Sequence, residues 1–406
     1  MKWDISFMND ENTGGNVSFT GLQILVFSLV STAIATIYIT QPVLPVLRTE
    51  FGVGETLASL SISAVIFGIA LANLPLGIAA DRFPIKPIIG FGGLVIALCG
   101  FICATTGSLT VLIGTRFVQG LFLPCLTTCV AAYLARTLPE ERLNVVMGSY
   151  VSATVAGGLG GRLLGGFIHP PLHWRYAFVT SSVLLLVATF SAYLLLPREK
   201  TGPAAAPGAP GFLDLIARKD LLRIYLVAFS SFFVFSSVFN YLPFYLSTPA
   251  FGASTGVITL TYSCYLIGII MGPLAGKLSN RFGNGTVMAL GAALFGLSLG
   301  ITLIGSMPVV VAGLAGICAG FFAIHASAAG SLNRRLRSSR GRANSLYVLL
   351  YYLGGFAGIS ASGYLYVSRG WSGIVATGIA MLAIPMGSGI WEVVGTKGKS
   401  VSRPLR

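Results

Sequence analysis

The sequence predicts an all-α integral membrane protein with twelve transmembrane helices arranged as two pseudo-symmetric six-helix bundles. Three observations support this fold class: the composition, the recurrence of long apolar segments and an internal repeat. Of the 406 residues, 54% are hydrophobic and only 9% are charged, so lipid rather than water surrounds most of the chain. Continuous apolar segments favour helices over a barrel, because barrel strands alternate apolar and polar residues.

Each predicted helix is an apolar segment of about 20 residues, the length that crosses a hydrocarbon core roughly 30 Å thick. The first segment is full length and follows polar residues, unlike the brief apolar core of a cleavable signal peptide, so we expect it to stay in the mature chain. In chain order, the predicted helices cover 21–41, 57–79, 87–106, 110–133, 144–168, 175–196, 221–246, 254–276, 286–304, 308–330, 343–367 and 371–393.

The longest polar interruption separates six predicted helices from six. This segment, 197–220, is rich in proline, and we predict that it is a cytoplasmic linker. It would join an N-terminal bundle, 1–196, to a C-terminal bundle, 221–406, that ends in a short cytoplasmic tail.

An internal repeat supports this division. A pattern after the second predicted helix recurs after the eighth: Gly77, Asp81 and Arg82, then Gly276, Asn280 and Arg281. Two six-helix halves repeated in parallel are typical of transporters.

The net charge of +14 reports the topology of the chain rather than a nucleic-acid partner. Most of the 26 Lys and Arg residues fall on one side if both termini are placed together, and only Arg48, Arg175 and Arg369 fall in loops opposite. The positive-inside rule then places both termini in the cytoplasm, and we expect a multi-pass protein of the bacterial cytoplasmic (inner) membrane.

Several functional classes lack the residues that they need. All six cysteines fall within predicted helices, so no disulfide framework is indicated. The sequence has no phosphate-binding loop and no set of residues for an intramembrane metal or catalytic site. We therefore predict no enzyme, no metal and no cofactor, and a membrane-embedded enzyme or sensor is the least favoured alternative.

Four motifs resemble those of one transporter family. They are the loop from Gly77 through Asp81 and Arg82 to Lys86, the pair Pro42 and Pro45, Arg116 with Gly120, and Gly161 with Gly165 and Gly166. On these residues the chain resembles, over essentially its whole length, the major facilitator superfamily, most of all twelve-helix bacterial drug and sugar efflux permeases of the drug:proton antiporter-1 type. Pro84 and Ile85 depart from the loop motif, and Arg162 stands where the antiporter motif has proline.

The loop after the second helix is a candidate gate. A carboxylate at Asp81 pairs with Arg82 or Lys86 and with the positive end of a neighbouring helix only while the helix ends stay close. Gly77 would allow a helix of the other half to approach. The predicted gating motif comprises Gly77, Asp81, Arg82, Lys86, Gly276, Asn280 and Arg281. The alternative is that these are ordinary loop charges that set topology.

Three ionisable residues inside predicted helices are candidates for proton coupling: Arg116, Arg162 and His325. The resemblance implies proton transfer for Arg116, and a structural cation bonded to helix carbonyls is the equal alternative. For Arg162, within a glycine-rich helix, we favour a structural role. His325 titrates nearest to physiological pH and is the leading proton carrier, although a lone buried histidine is often a hydrogen-bonded structural residue.

Acidic residues are missing from the predicted mid-membrane region. Of twelve Asp and Glu, only Glu392 falls within a predicted helix, near its cytoplasmic end. Because cation exporters often use a buried carboxylate, its absence favours a neutral or anionic substrate. Polar and aromatic residues that could line a central cavity are Tyr38, Gln41, Gln119, Asn240, Tyr241, Tyr262, Tyr265, Tyr347, Tyr351 and Tyr352.

These features predict a secondary active transporter that moves a small organic solute by alternating access, through proton-coupled efflux. The alternative is a proton-coupled or facilitative uptake permease for an anionic or neutral nutrient. The expected partners are a small-molecule substrate, protons and the lipid bilayer, and we expect a monomer.

Overall fold

A computed structural model describes residues 18–197, 211–336 and 340–401, and within these ranges every regular element is a helix. The helices of the first half are α1 Phe19–Tyr38, α2 Leu44–Phe51, α3 Glu55–Arg82, α4 Ile85–Thr105, α5 Leu109–Leu126, α6 Thr128–Thr137, α7 Glu140–Ile168 and α8 Arg175–Leu195. Those of the second half are α9 Phe212–Ala217, α10 Lys219–Leu246, α11 Thr255–Thr261, α12 Ile267–Phe282, α13 Asn284–Ile301, α14 Met307–Arg334 and α15 Arg340–Val401.

Eleven helical stretches of the described chain are long and apolar enough to cross a membrane, and the last of them crosses twice. That stretch, Gly341–Gly395, has 55 residues and would be about 80 Å long as one straight helix. It is broken at Gly370, whose φ of 60° and ψ of −149° are not helical. Glycine adopts a positive φ without the steric cost that a side chain brings. The break falls between the predicted helices 343–367 and 371–393, and the predicted fold class is confirmed.

The first membrane crossing continues past the prolines that follow α1, contrary to the predicted boundary at residue 41. Pro42 lies in a 3₁₀ turn, Gln41–Val43, and Pro45 lies in the first turn of α2. Proline is tolerated there because the first residues of a helix have no helical partner for their N–H groups. The first crossing therefore continues to Phe51.

Glycines bring α7 against α1 at backbone contact distance. A methyl group at Gly157, Gly161 or Gly165 would lie 2.4, 2.1 and 1.8 Å from the carbonyl oxygens of Ser31, Ala35 and Ile39, respectively. The spacing of four residues keeps the three glycines on one face of α7, as in small-residue interfaces of membrane helices.

The second half repeats this seam with different residues. A methyl group at Gly354 would lie 2.1 Å from the carbonyl oxygen of Phe229 in α10, and one at Gly358 would lie 2.3 Å from that of Phe233. The first and fifth crossings of each half are thus joined in the same way, which is the structural counterpart of the sequence repeat.

The two ends of the bundle differ in charge. The end that holds Arg136, Arg223 and Arg335, with the start of α4 and the end of α14, is called the basic face here. The other end, called the opposite face, holds Glu50, Trp174 and the break at Gly370.

Candidate functional site

Arg162 lies where the two halves meet and is bonded to both. Its side chain is buried, at 1% exposure. Its Nε donates to Gln41 Oε1 at 2.6 Å and its Nη1 to the Gly158 carbonyl at 2.6 Å, both in the first half. Its Nη2 donates to the Tyr265 hydroxyl of the second half at 2.8 Å.

Aromatic rings surround the same guanidinium. Its Cζ lies 3.9 Å from the ring centre of Tyr38, 4.2 Å from that of Tyr265 and 5.2 Å from that of Tyr262. Cation–π attraction of this kind compensates part of the cost of burying a charge. The structure thus brings together five predicted residues, namely Arg162, Gln41 and the three tyrosines.

No carboxylate of the described chain forms an ion pair with Arg162. Four described carboxylates pair with basic residues at the two faces of the bundle. The pairs are Glu50 with Arg175, Glu55 with Arg48, Asp220 with Arg218, and Glu392 with Arg223 and Arg335. The carboxylate of Asp214 accepts from the Gly211 amide. A guanidinium has five N–H groups. Three of these donate to Gln41, Gly158 and Tyr265, and the Tyr38 hydroxyl is a further partner, which leaves at least one N–H for a ligand.

The rings beside Arg162 belong to a larger aromatic array of the second half. Tyr265 meets Phe235 edge-on at 5.3 Å, and Phe235 stacks on Phe321 at 3.9 Å. Phe321 in turn faces His325 at 6.0 Å with 14° between the ring planes. The array therefore runs from the buried cation to the candidate proton carrier.

Three tyrosines near Arg162 and this array are only half-buried. Tyr38, Tyr351 and Tyr352 are each half-buried within membrane-spanning helices. Tyr38 of the first half lies within electrostatic range of the two tyrosines of the second half. Phe232 stacks on Tyr351, with ring centres 3.8 Å apart and 9° between planes, and fixes the orientation of that tyrosine.

His325 is held by a second predicted residue. Its Nδ1 lies 3.0 Å from the Tyr347 hydroxyl, and the imidazole is half-buried. Which of the two groups donates depends on the tautomer. The pair lies in the second half beside Tyr351, whose ring centre is 5.4 Å from that of His325.

Arg116 occupies a different environment, inside the first half. It donates to the carbonyls of Thr36 and Ser61, at 2.6 and 2.9 Å, and to that of Ile37. This is the geometry of the structural alternative, a cation bonded to helix carbonyls.

Gln119 does not line the space between the halves. Its Oε1 accepts from Arg116 at 2.9 Å, and its Nε2 donates to the Ile96 carbonyl of α4 at 3.0 Å. The prediction of a cavity position for Gln119 is therefore wrong in this structure, because Arg116 and α4 use both ends of its amide.

Asn240 and Tyr241 lie at the contact between the halves near the opposite face. Asn240 Nδ2 donates to Ser59 Oγ of α3 at 2.8 Å, whereas its Oδ1 is buried without a hydrogen-bond partner. The Tyr241 hydroxyl donates to the Ile359 carbonyl within its own half at 3.0 Å. Both side chains are fully buried, so they act here as interface residues rather than as cavity lining.

Gly166 forms a second contact at this end. A methyl group there would lie 1.8 Å from Oγ1 and 2.8 Å from Cβ of Thr259, which belongs to α11 of the second half. Neighbouring Gly165 faces backbone of its own half, so one turn of α7 serves two interfaces.

We expect Gly166→Ala to open the opposite face, because the added methyl overlaps Thr259 and overpacking costs about 1–3 kcal/mol. The reporter is a disulfide between Ser59→Cys and Asn240→Cys, which replaces the hydrogen bond across the halves. The yield of this disulfide under mild oxidation should fall about tenfold when Gly166→Ala is added. Adding Thr259→Gly as well should restore the yield, because it removes every Thr259 side-chain atom that the new methyl overlaps. An unchanged yield would show that the contact does not hold the face closed.

The hydrogen bonds of Lys86 and Asn280, two described members of the predicted gating motif, stay within one half in this structure. The Asp81 side chain lies outside the described part of the structure. Arg82 and Arg281 are exposed, and Lys86 donates to the Leu194 carbonyl of its own half at 3.3 Å. Asn280 accepts from Arg334 at 3.0 Å, also within one half.

The glycines of the motif do not face a close neighbour either. A methyl at Gly77 would meet only Thr128 of the same half, at an ordinary 3.7 Å, and one at Gly276 would meet nothing within 4 Å. The second half approaches α3 one turn earlier, where Asn73 donates to the Ser345 carbonyl at 3.4 Å. The expected close approach at Gly77 is therefore not present in this arrangement.

Glu392 lies at the basic face, as predicted from its position near a helix end. Its Oε2 pairs with Arg335 at 3.0 Å and with Arg223 at 3.4 Å, and Ser331 donates to it at 2.8 Å. This carboxylate ties the ends of three helices of the second half together and is remote in sequence and fold from Arg162.

Sequence reasoning missed several features of the site. The eighth crossing is interrupted by a 3₁₀ turn, Tyr262–Leu266, which places Tyr262 and Tyr265 beside Arg162. Neither Gly nor Pro marks that turn, so no ordinary breaker predicted it. Ser59 and Thr259 were also missed, since isolated hydroxyl residues in apolar helices have no distinguishing spacing.

Comparisons with known proteins agree with this architecture. The family model described as Major Facilitator Superfamily matches residues 26–263 and 248–395. The chain is 28% identical over 400 residues to the inner membrane transport protein YnfM of Escherichia coli, covering 98% of this chain and 94% of that protein. It is 26% identical to the uncharacterized MFS-type transporter YybF of Bacillus subtilis, over 87% of this chain and 88% of that protein.

Two solved structures share the fold at 14% identity. Both are crystal structures of a bacterial homolog of the human lysosomal transporter Spinster in an inward-facing conformation. The unoccupied form matches with a TM-score of 0.71 over 93% of this chain and 95% of its own. The occupied form matches with a TM-score of 0.73 over 93% and 97%.

Proposed function

The chain belongs to the major facilitator superfamily and is a multi-pass membrane transporter, and from this premise we propose that it exports a small organic solute through a central site at Arg162, driven by protons. The observation that carries the proposal is the position of Arg162, which hydrogen-bonds Gln41 and Gly158 in one half and Tyr265 in the other. A polar site at the junction of two repeated halves is where transporters of this architecture place their substrate.

Alternating access requires a junction that opens at one face at a time. At the opposite face α7 packs on α11, and Asn240 of α10 bonds Ser59 of α3. Rocking of the first half against the second would break the Ser59 and Tyr265 contacts, whereas the bonds from Arg162 to Gln41 and Gly158 would move with the first half. Arg162 would then be carried between the two faces as part of one rigid body.

The topology supports export from the cytoplasm. The concentration of Lys and Arg at the basic face favours placing that face, with both termini, in the cytoplasm. With the opposite face closed, the central site would take up its solute from the cytoplasmic side. We propose that the protein works as a monomer in the bacterial inner membrane.

Proton coupling is assigned to His325. Imidazole changes its charge near physiological pH, and its partner Tyr347 offers a hydroxyl at 3.0 Å that can donate to or accept from the ring. The aromatic array connects His325 to Tyr265 and so to Arg162. Protonation at one end of the array can thus alter the environment of a solute bound at the other.

We expect His325→Gln to abolish proton-driven accumulation while leaving solute exchange across the membrane. The purified protein is reconstituted in liposomes and a solute is chosen by screening with and without an imposed pH gradient. One pH unit corresponds to about 1.36 kcal/mol per proton, which is up to a tenfold accumulation ratio. That ratio should fall to about one in His325→Gln, whereas exchange at equal pH persists.

The matched control is His173→Gln. His173 lies at the opposite face beside Glu50, remote from the aromatic array. It should accumulate solute as the original protein does. Full accumulation by His325→Gln would remove this histidine from the coupling mechanism.

A second candidate function is proton-coupled or facilitative uptake of an anion. The absence of a carboxylate partner for Arg162 among the described residues favours it, because an anion would neutralise the site. The two candidates predict opposite effects of the same gradient: an acidic outside drives solute out of the liposome in antiport and into it in symport.

A further inference from the structure

We propose that the central site recognises a planar aromatic carboxylate, with the carboxylate on Arg162 and the ring among the tyrosines that separate the two halves. This inference rests on the proposed transport through that site and names the chemical class of the substrate.

The charge of the ligand follows from the surroundings of Arg162. A cation at 1% exposure is costly to bury unless an opposite charge or a complete set of hydrogen bonds compensates it. The described protein supplies hydrogen-bond partners in Gln41, Gly158, Tyr265 and Tyr38 together with the tyrosine faces, but no carboxylate. An anion would supply the missing charge, and a cationic ligand would be repelled.

The remaining N–H donors of Arg162 indicate that the anionic group of the ligand is a carboxylate. Nη1 donates to Gly158 and Nη2 to Tyr265, and the Tyr38 hydroxyl is a further hydrogen-bonding partner of the guanidinium, so at least one of its five N–H groups is left for an acceptor. A carboxylate has two oxygens and accepts from a guanidinium with particular strength. The hydroxyl groups of Tyr38 and Tyr265 lie beside the same guanidinium and can donate to the anion.

The tyrosine rings next to Arg162 indicate that the ligand carries an aromatic ring. Tyr38, Tyr351 and Tyr352 are half-buried, so their rings are partly available to a ligand. The ring of Tyr351 is held parallel to Phe232 at 3.8 Å and meets Tyr352 edge-on at 5.3 Å. Flat rings held in fixed orientations favour a flat ligand, because stacked and edge-to-face contacts both depend on ring planes.

The test compares four small probes by calorimetric binding to the purified full-length protein in detergent. Benzoate has both proposed features, benzamide lacks the charge, cyclohexanecarboxylate lacks the flat ring, and benzylamine reverses the charge. We expect benzoate to bind at least tenfold more tightly than benzamide and about fivefold more tightly than cyclohexanecarboxylate. Benzylamine should show no binding at the highest soluble concentration.

Variants then locate the site. Arg162→Gln should reduce benzoate affinity to that of benzamide, and Arg162→Lys should recover only part of it, because an ammonium lacks the planar fork of a guanidinium. Arg369→Gln, at an exposed position of the opposite face, should bind benzoate as the original protein does. Tyr351→Leu should lower the affinity for benzoate more than the affinity for cyclohexanecarboxylate.

Three results would overturn the inference. They are equal affinity for benzoate and benzamide in the original protein, equal affinity for benzoate and cyclohexanecarboxylate, and full benzoate binding by a folded Arg162→Gln. The ligand series on the unaltered protein decides the matter even if a variant fails to fold. Proton-driven transport of a neutral solute with no benzoate binding would reject the substrate class alone and leave the proposed function standing.

Discussion

Arg162→Gln is expected to lower the transport rate about 100-fold in liposomes. The substitution keeps a hydrogen-bonding amide but removes the charge that bonds both described halves and at least one of its three hydrogen bonds to Gln41, Gly158 and Tyr265. Hydrogen bonds to charged groups contribute about 1.5–3 kcal/mol each, and 2.7 kcal/mol corresponds to about 100-fold. Initial rates under an imposed pH gradient measure the effect.

Two controls separate transport from folding in this experiment. Arg369→Gln removes a cation from an exposed position and should leave the rate unchanged. Arg162→Lys keeps the charge and should recover part of the rate. Full transport by Arg162→Gln would mean that the solute follows another route. A loss of rate that only tracked a loss of folded protein, measured by thermal unfolding, would return Arg162 to a structural role.

Gly161→Ala is expected to destabilise the whole protein, in contrast to a change at the central site. The added methyl would lie 2.1 Å from the Ala35 carbonyl oxygen and 2.8 Å from Ala35 Cα, both of them backbone atoms of α1. Backbone has no rotamer by which to give way, so α1 and α7 must separate, at a cost of about 3 kcal/mol or more. We expect lower yield and a melting temperature reduced by several degrees.

The adjacent glycine provides a matched control for that change. A methyl group at Gly160 would meet no atom within 4 Å, so Gly160→Ala makes the same chemical change on the same helix without overlap. It should leave the melting temperature unchanged or raise it, since alanine favours the helix over glycine. Equal melting curves for the two variants would contradict the backbone contact between α1 and α7.

The helices could be predicted from the sequence because each one is specified locally. An apolar run of sufficient length crosses the membrane whatever its neighbours are, and a charge bias in the loops orients it. Even the break at Gly370 fell between two predicted helices. The course of the chain at Pro42 and the 3₁₀ turn at Tyr262 were not predicted, because tertiary packing decides how a helix continues past a local irregularity.

The candidate site was predictable in its residues but not in their roles. Arg116 and Arg162 look alike in sequence, each a lone cation in an apolar helix that contains glycines. The structure separates them by their partners: Arg116 binds carbonyls of its own half, and Arg162 reaches a tyrosine of the other half. Such a distinction depends on which helix faces meet, and residues distant in the chain determine that.

The contrast between Gly165 and Gly166 constrains how α7 can vary. Gly165 faces Ile39 of its own half, and Gly166 faces Thr259 of the second half, at a seam that the proposed rocking would open. Each residue turns an α-helix by about 100°, so losing or gaining a single residue upstream would move one glycine into the other's place and bring Phe167 or Leu164 into a position that glycine now fills. The length of this helix upstream of these glycines is therefore constrained by the two surfaces that it serves.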